Sequence, residues 1–436
     1  MTITVYPPYG SSSGNPVYVA INGTNTDAFG RLRVSNPVTL FDGQARFAAD
    51  NAYSYVTATG GTTSYNANQS SVNLNVTTTS GSTAVAQTYR VFPYQPGKGL
   101  LTLQTFTMAS AQTNLRQRIG YFSAYNGVYF AQGEQTSAST LSFTIRTFTS
   151  GSVSNTRTVD QSSWNGDKLD GSGPSGLTLD VTKTQILWMD FEWLGVGNVR
   201  CGFIINGQYI VCHTFQNANQ STSTIVYMQT AILPLRYEIA TTGTTASAAT
   251  MQMICSSVIS EGGYEQTSQP FTARTGGNGV TIANNTGLTF TPIVSIRVAS
   301  SYYGAIIIPA AILFQPTSSG STGYEAVLIR NATLTGATWA AGPISSSQVD
   351  VDTAATACTA TADNIVQTSF ANQSAQGVTT AVVPTGYNFD LQLGYTASLS
   401  GNGYGSSDTY TLAARGLNNS PTGSGTGAIS FYNLTV

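Results

Sequence analysis

The stretch from Gln185 to Phe215, QILWMDFEWLGVGNVRCGFIINGQYIVCHTF, constrains the fold more than any other part of the chain. From Gln185 to Leu194 one parity is apolar (Leu187, Met189, Phe191, Trp193) and the other carries Asp190 and Glu192, the period-2 pattern of a strand with one buried face. A Gly-Val-Gly turn follows. Asn206-Gly207 then sits between Cys201–Ile205 and Gln208–Cys212, and Asn-Gly between apolar runs is the strongest short-range signal for a two-residue type I′ hairpin. That turn pairs Ile205 with Gln208, Phe203 with Ile210 and Cys201 with Cys212.

The rest of the chain extends this reading to an all-β molecule. Only 8% of its residues are charged, and 44 glycines with abundant Ser, Thr, Asn and Gln supply turns. With 41% hydrophobic residues the chain has enough apolar surface to bury a core. Its lysines are Lys98, Lys168 and Lys183 alone and its net charge is -2, which argues against a phosphate-backbone partner, so no nucleic acid is expected. The most apolar run, Gly304 to Phe314, is too short to span a bilayer and contains Pro309, so no membrane insertion is expected. The first residues have neither the basic nor the apolar region of a secretory signal.

Three segments are expected. Residues 1–37, with Pro7-Pro8, Ser11–Ser13 and Asn22-Gly23 between short strand-like pieces, read as an extended arm or as a first edge strand with loops. Residues 38–264 hold alternating segments such as Leu100–Phe106, Ile119–Ser123, Leu141–Thr147 and Ile225–Gln229, separated by Gly, Asn and Ser turns, the signature of an antiparallel sandwich or jelly roll. After the Gly262-Gly263 pair, residues 265–436 carry a second set of strands, among them Ile293–Val298, Ala305–Phe314, Ala326–Ile329, Phe389–Tyr395, Thr409–Ala414 and Ile429–Leu434, and read as a second β-sandwich.

Cys201 and Cys212 are the one interesting cysteine pair. The hairpin register puts them opposite each other at a spacing of about 5.5 Å between Cα atoms, inside the disulfide range. The alternative is two buried free thiols. His213, the sole histidine, excludes sites that need several imidazoles, and a Cys212–His213 dyad fails because neighbours on a strand point to opposite faces. The loop Asn165–Gly171, with Asp160 and Asp180 nearby, reads either as oxygen ligands for Ca²⁺ or as an Asx-rich turn cluster backed by Trp164, and its spacing is not that of an EF-hand. No cofactor motif is found.

Five segments, DAFGRLRVSNPVTLFDGQ (Asp27–Gln44), NLRQRIGYF (Asn114–Phe122), WNGDKLDGSGPSGLTLD (Trp164–Asp180), Asp190–Asn219 and ICSSVISEGGY (Ile254–Tyr264), resemble virion structural proteins of tailed bacteriophages, cyanophages among them. The resemblance covers the first 264 residues broadly. It implies a place in a virus particle, as capsid decoration or tail fibre, with other capsid or tail proteins as partners. The strand pattern of the first sandwich is also similar to concanavalin-type, lectin-like jelly rolls at the level of fold.

A lectin-like fold makes Asp190 and Glu192 the natural pair to ask about, since lectin-fold glycosidases keep acid and nucleophile two apart on one strand face. Trp188 shares that face and is placed to stack on a sugar. The third carboxylate usual in those enzymes is replaced by Leu194, and the structural alternative pairs both acids with arginines such as Arg118 or Arg200. The expectation is a non-enzymatic virion structural protein. The alternatives are a receptor-binding fibre that reads host-surface glycan, with Tyr302, Tyr303 or Tyr404 as contacts beside Trp188, Asp190 and Glu192, and a glycan depolymerase. Sheet edges poor in lysine point to a homo-oligomer, and phage appendages in general point to a trimer.

Overall fold

The computed structural model describes residues 36–435 apart from 136, 221–224, 266–267, 278, 318–322, 343–346, 373–378, 383–388 and 418–422, together with 4–5 and 19–20. The expected arm over residues 1–37 lies outside the described residues, save Asn36, Pro37 and two short strands in which Thr4 pairs with Ala20 and Val5 with Val19. The described residues form strands joined by turns and short 3-10 segments, and no α-helix occurs among them. The chain separates into two compact units. The first is Met1–Tyr264 with Ala397–Gly403, and the second is Glu265–Thr396 with Tyr404–Val436.

In the first unit a seven-stranded sheet runs, in spatial order, Ser154–Asp160, Leu141–Thr147, Gly127–Gln132, Leu115–Phe122, Leu235–Thr241, Thr83–Thr88 and Tyr53–Ala58. Its pairings are antiparallel throughout. An eight-stranded antiparallel sheet runs Gln208–Phe215, Val199–Ile205, Gln185–Phe191, Leu100–Thr107, Ala249–Ser260, Ser71–Val76 and Thr62–Asn66, with Val38–Gln44 also paired to Ala249–Ser260. Apolar side chains of the two sheets leave water together between the layers. Aromatic rings join the layers: Phe130 meets Phe203 edge-on at 5.1 Å, and Tyr121 lies 5.2 Å from Phe191. Buried tyrosines find partners for their hydroxyls, Tyr53 with Ser256 Oγ at 2.7 Å and Tyr237 with the Cys255 carbonyl at 3.1 Å. The first unit is therefore an antiparallel β-sandwich.

Alternation located the strands Leu141–Thr147 and Gln185–Phe191 well, but two expected strands are absent. Ile225–Gln229 is loop, because its N–H groups are taken outside any ladder by residues distant in sequence: Tyr227 donates to Gly195 O at 3.0 Å and Gln229 to Asn126 Oδ1 at 3.0 Å. Phe389–Tyr395 holds a 3-10 turn, Phe389–Leu391, and a strand begins only at Tyr395.

The second unit is also layered antiparallel sheet. One sheet runs Gln269–Arg274, Gly423–Asn433, Ile307–Pro316 and Thr379–Val382, with Val280–Ile282 a second partner of Gly423–Asn433. The other runs Thr333–Thr335, Ala357–Thr359, Thr289–Val298, Thr409–Gly416, Gly323–Arg330 and Ile365–Asn372, with Val349–Asp352 also on Thr289–Val298 and Ala340–Ala341 beyond it. The layers meet closely at Gly427, where a Cβ would stand 2.7 Å from Leu412 Cδ2 and 2.9 Å from Ile293 Cγ2. Gly423–Asn433, the last strand, is paired on both edges and so lies inside its sheet.

Candidate functional site

Asp190 lies on Gln185–Phe191 directly opposite Arg200 of the neighbouring strand, and the two form an ion pair. Asp190 is 0% exposed, as is Glu192, and Trp188 is 1% exposed. The strand ends at Phe191, so Glu192 already belongs to the turn; its N–H donates to Asn198 O at 3.4 Å. Leu194, at the position of the missing third acid, is exposed at a positive φ of 34°. The expected glycan contact through Trp188, Asp190 and Glu192 is therefore corrected: burial closes these groups to a sugar. Of the two arginines considered as partners, Arg200 takes that role, whereas Arg118 pairs with Glu134 and Glu238.

The Trp188 ring explains its neighbour. Gly202 faces it across the ladder, and a Cβ there would sit 3.0 Å from Trp188 Nε1 and 1.8 Å from Ile210 O, so the close approach requires glycine. Tyr209 packs edge-on against the indole at 5.5 Å.

The hairpin follows the expected register through Ile205–Gln208, Phe203–Ile210 and Gly202–Val211, and then shifts, so that Cys201 faces His213. The expected Cys201–Cys212 pairing is corrected by this bulge, which inserts Cys212 as the extra residue. Both thiols are free and buried, and burial pushes them up from the ordinary range. The outer edge of the bulged strand is closed by Gly166 and Asp167, whose N–H groups donate to Cys212 O and Val211 O, each at 2.9 Å. His213 Nδ1 accepts the Asn165 N–H at 3.3 Å, and its ring lies edge-on to Phe215 at 4.5 Å. Burial, and then the charge of Arg157, lower its pKa to about 4, so the imidazole is neutral near pH 7.

The carboxylates of the Asn165–Gly171 region close their own turns. Asp167 accepts N–H groups from Leu169 and Ser175 at 2.9 and 2.7 Å, Asp170 accepts from Ser172 N and Asp180 from Thr182 N. This is the Asx-turn reading of the loop. Among the described residues no three His, Cys, Asp or Glu side chains converge as metal ligands.

Sequence reasoning missed the densest polar constellation, on the outer face of the seven-stranded sheet. Arg118 binds Glu134 through Nε at 2.6 Å and Glu238 through Nη1 at 3.0 Å, and Arg236 holds the other oxygen of Glu238 at 2.9 Å. Arg116 adds a 3.4 Å contact to Glu238. Arg146 donates to Asn155 Oδ1 at 3.0 Å and lies 5.0 Å over the Tyr129 ring, while Arg236 lies 5.7 Å over Phe122. Three guanidiniums, those of Arg116, Arg118 and Arg236, thus meet two carboxylates, with Arg146 beside them, and the aromatic faces take up part of the excess charge. Burial pushes the Glu238 carboxyl up, but Arg236 and then Arg118 more than reverse this, holding it well below the usual carboxylate range. The signal was present in the sequence as the alternation Arg116-Gln-Arg118 and Arg236-Tyr-Glu238 within apolar strands.

In the second unit, Tyr303 and Tyr404 stack at 6.1 Å and 22°, and both pack on buried Tyr395 at 5.6 and 5.2 Å. Tyr395 anchors the group by donating to Ala305 O at 2.6 Å. Tyr302 is 41% exposed.

No protein-family model and no curated protein matches this chain. Solved structures similar to it include a β-glucanase of Bacillus licheniformis, at 10% identity and TM-score 0.32, covering 50% of this chain and 96% of that one. The carbohydrate recognition domain of Emp47p is similar at 9% identity and TM-score 0.31, covering 50% and 95%, and peanut lectin at 13% and 0.31, covering 52% and 98%. At these identities and TM-scores the likenesses speak to neither substrate nor activity.

Proposed function

We propose that this chain is a non-enzymatic structural protein of a tailed-bacteriophage particle, a surface-exposed capsid decoration or fibre-type component docked through residues 1–37 and working as a homo-oligomer beside other virion proteins. The observation that carries the non-enzymatic part is the Asp190–Arg200 ion pair together with the full burial of Glu192: of the best acid pair in the sequence, one member is spent on pairing strands and the other is closed to solvent. The particle assignment is supported by the five phage-like segments. Incubation of the purified protein with a panel of bacterial polysaccharides is expected to release no oligosaccharide. Release that disappears in Glu192→Gln would overturn the reading in favour of a depolymerase. Mass spectrometry of purified particles tests the location, and particles free of this chain would contradict it.

A second reading, recognition of host-surface glycan, is favoured by the stacked Tyr303–Tyr404 pair with Tyr302 exposed beside it, since aromatic faces bind the apolar faces of sugars. A glycan array on which Tyr302→Ala and wild type are equally blank would remove it.

A further inference from the structure

Gln269–Arg274 and Val280–Ile282 pair with the same edge of Gly423–Asn433, the first along Ala428–Asn433 and the second along Gly423–Gly425. Between them the chain leaves the ladder at Thr275 and returns at Val280, which opens a notch in the sheet over Thr426 and Gly427. Thr275 bridges the gap, donating its N–H to Gly427 O at 3.0 Å and accepting the Gly427 N–H on its hydroxyl at 3.1 Å. The result is a cavity of about 700 Å³, lined by Arg274, Gly276, Gly277, Leu313, Gln315 and Thr426 among others. That volume lies within the range of small-ligand sites.

The chemistry of the lining is selective. Arg274 is exposed, and among the described residues its guanidinium has no ion pair or hydrogen bond, unlike Arg297, Arg330 and Arg415 of the same unit, which are paired with acids. Among the described residues no acid lines the cavity to neutralise it. Gln315 spends its Nε2 on Pro316 O at 2.9 Å, which leaves Oε1 as an acceptor, and the Thr426 side chain is half-buried on the same outer face. Leu313 and Ala428 face each other across the ladder and supply an apolar floor. A cation, neutral hydrogen-bonding groups and a small apolar patch together match a ring that carries hydroxyls and one negative group.

We propose that this notch is a binding site for an acidic saccharide, with Arg274 on the carboxylate or sulfate and Gln315 and Thr426 on hydroxyls. This rests on the glycan-recognition reading but uses a site separate from Tyr302, Tyr303 and Tyr404, and it is independent of position in a particle. The glycines provide a clean test. A Cβ at Gly276 or Gly277 would meet nothing within 4 Å and neither residue has positive φ, so a large side chain there fills the notch without disturbing the sheet.

Isothermal titration of the full chain with a galacturonic acid trisaccharide, the neutral galactose trisaccharide and inorganic sulfate tests the assignment. The acidic sugar is expected to bind at least about tenfold more tightly than either of the others. Arg274→Ala is expected to lose that tenfold preference and Gly277→Trp to lose binding, with thermal unfolding of both variants unchanged. Equal binding of the two sugars, unaffected by Arg274→Ala, would overturn this site while leaving glycan recognition standing. Sulfate binding as tight as that of the acidic sugar would replace the saccharide with a simple anion, and binding of neither sugar would overturn both readings.

Discussion

Oε1 of Glu238 lies 3.0 Å from Nη1 of Arg118, directly across the ladder of the seven-stranded sheet, where the two residues face each other on a buried surface. Glu238 also holds Arg236, so its removal would strand buried guanidiniums. Breaking such a buried pair by deleting one partner costs about 3–5 kcal/mol. Glu238→Ala is expected to lower the stability of the first unit by that amount in urea unfolding. A loss below about 1 kcal/mol, the range of an exposed pair, would show that the network carries little.

Acid should unfold the first unit in two steps of different origin. The His213 pKa is lowered to about 4, so its contribution is complete above the ordinary imidazole value of 6.5 and is lost as pH falls from there towards 4. Glu238 and Glu134 are likewise depressed, each by arginines that outweigh burial, so their contribution is complete above the ordinary 4.5 and declines below it. His213→Gln should therefore flatten the stability profile between pH 6.5 and 4 and leave the steeper fall at lower pH. An imidazole that titrates near 6.5 by NMR would contradict this.

Thiol reactivity should sort the cysteines by burial. Cys255 is exposed and Cys201, Cys212 and Cys358 are buried. A colorimetric thiol reagent should titrate one cysteine in the native protein and all four only after denaturation, without reductant. A Cys201–Cys212 disulfide would leave two thiols unreactive in denaturant.

Gly202 should tolerate no side chain. A Cβ would approach Ile210 O to 1.8 Å, which is backbone and cannot swing aside. Gly202→Ala is expected to cost about 1–3 kcal/mol or more through forced backbone shift. An unchanged urea midpoint would mean that the hairpin and the Trp188 ring are not packed as described.

Much of the local structure was legible because a strand's period is set by its own residues. The alternation of Phe143 and Ile145 with Ser142 and Thr144 marks a strand, although both of its faces turn out to be buried, and Asn206-Gly207 fixes a turn with φ of 52° and 75° at its two residues. The register held only as far as the turn could enforce it. The shift at Cys201 arises beyond the hairpin, where Gly166 and Asp167 close on the edge strand, and nothing within Cys201–Cys212 announces them. Strand-like composition likewise misled at Ile225–Gln229, where Asn126 and Gly195, distant in sequence, take the N–H groups. The Arg118–Glu238 pair joins residues 120 apart. The alternation shows that each charge lies on an outward parity, but only the sheet order makes them neighbours.

The most direct measurement is a density map of intact phage particles into which this chain is fitted. The account predicts that both β-sandwich units are found on the particle surface, in several symmetric copies, with residues 1–37 running onto a neighbouring virion protein. Particles whose density leaves no place for the chain, or a chain seated inside the shell with Asp190 and Glu192 opened onto bound polysaccharide, would contradict it.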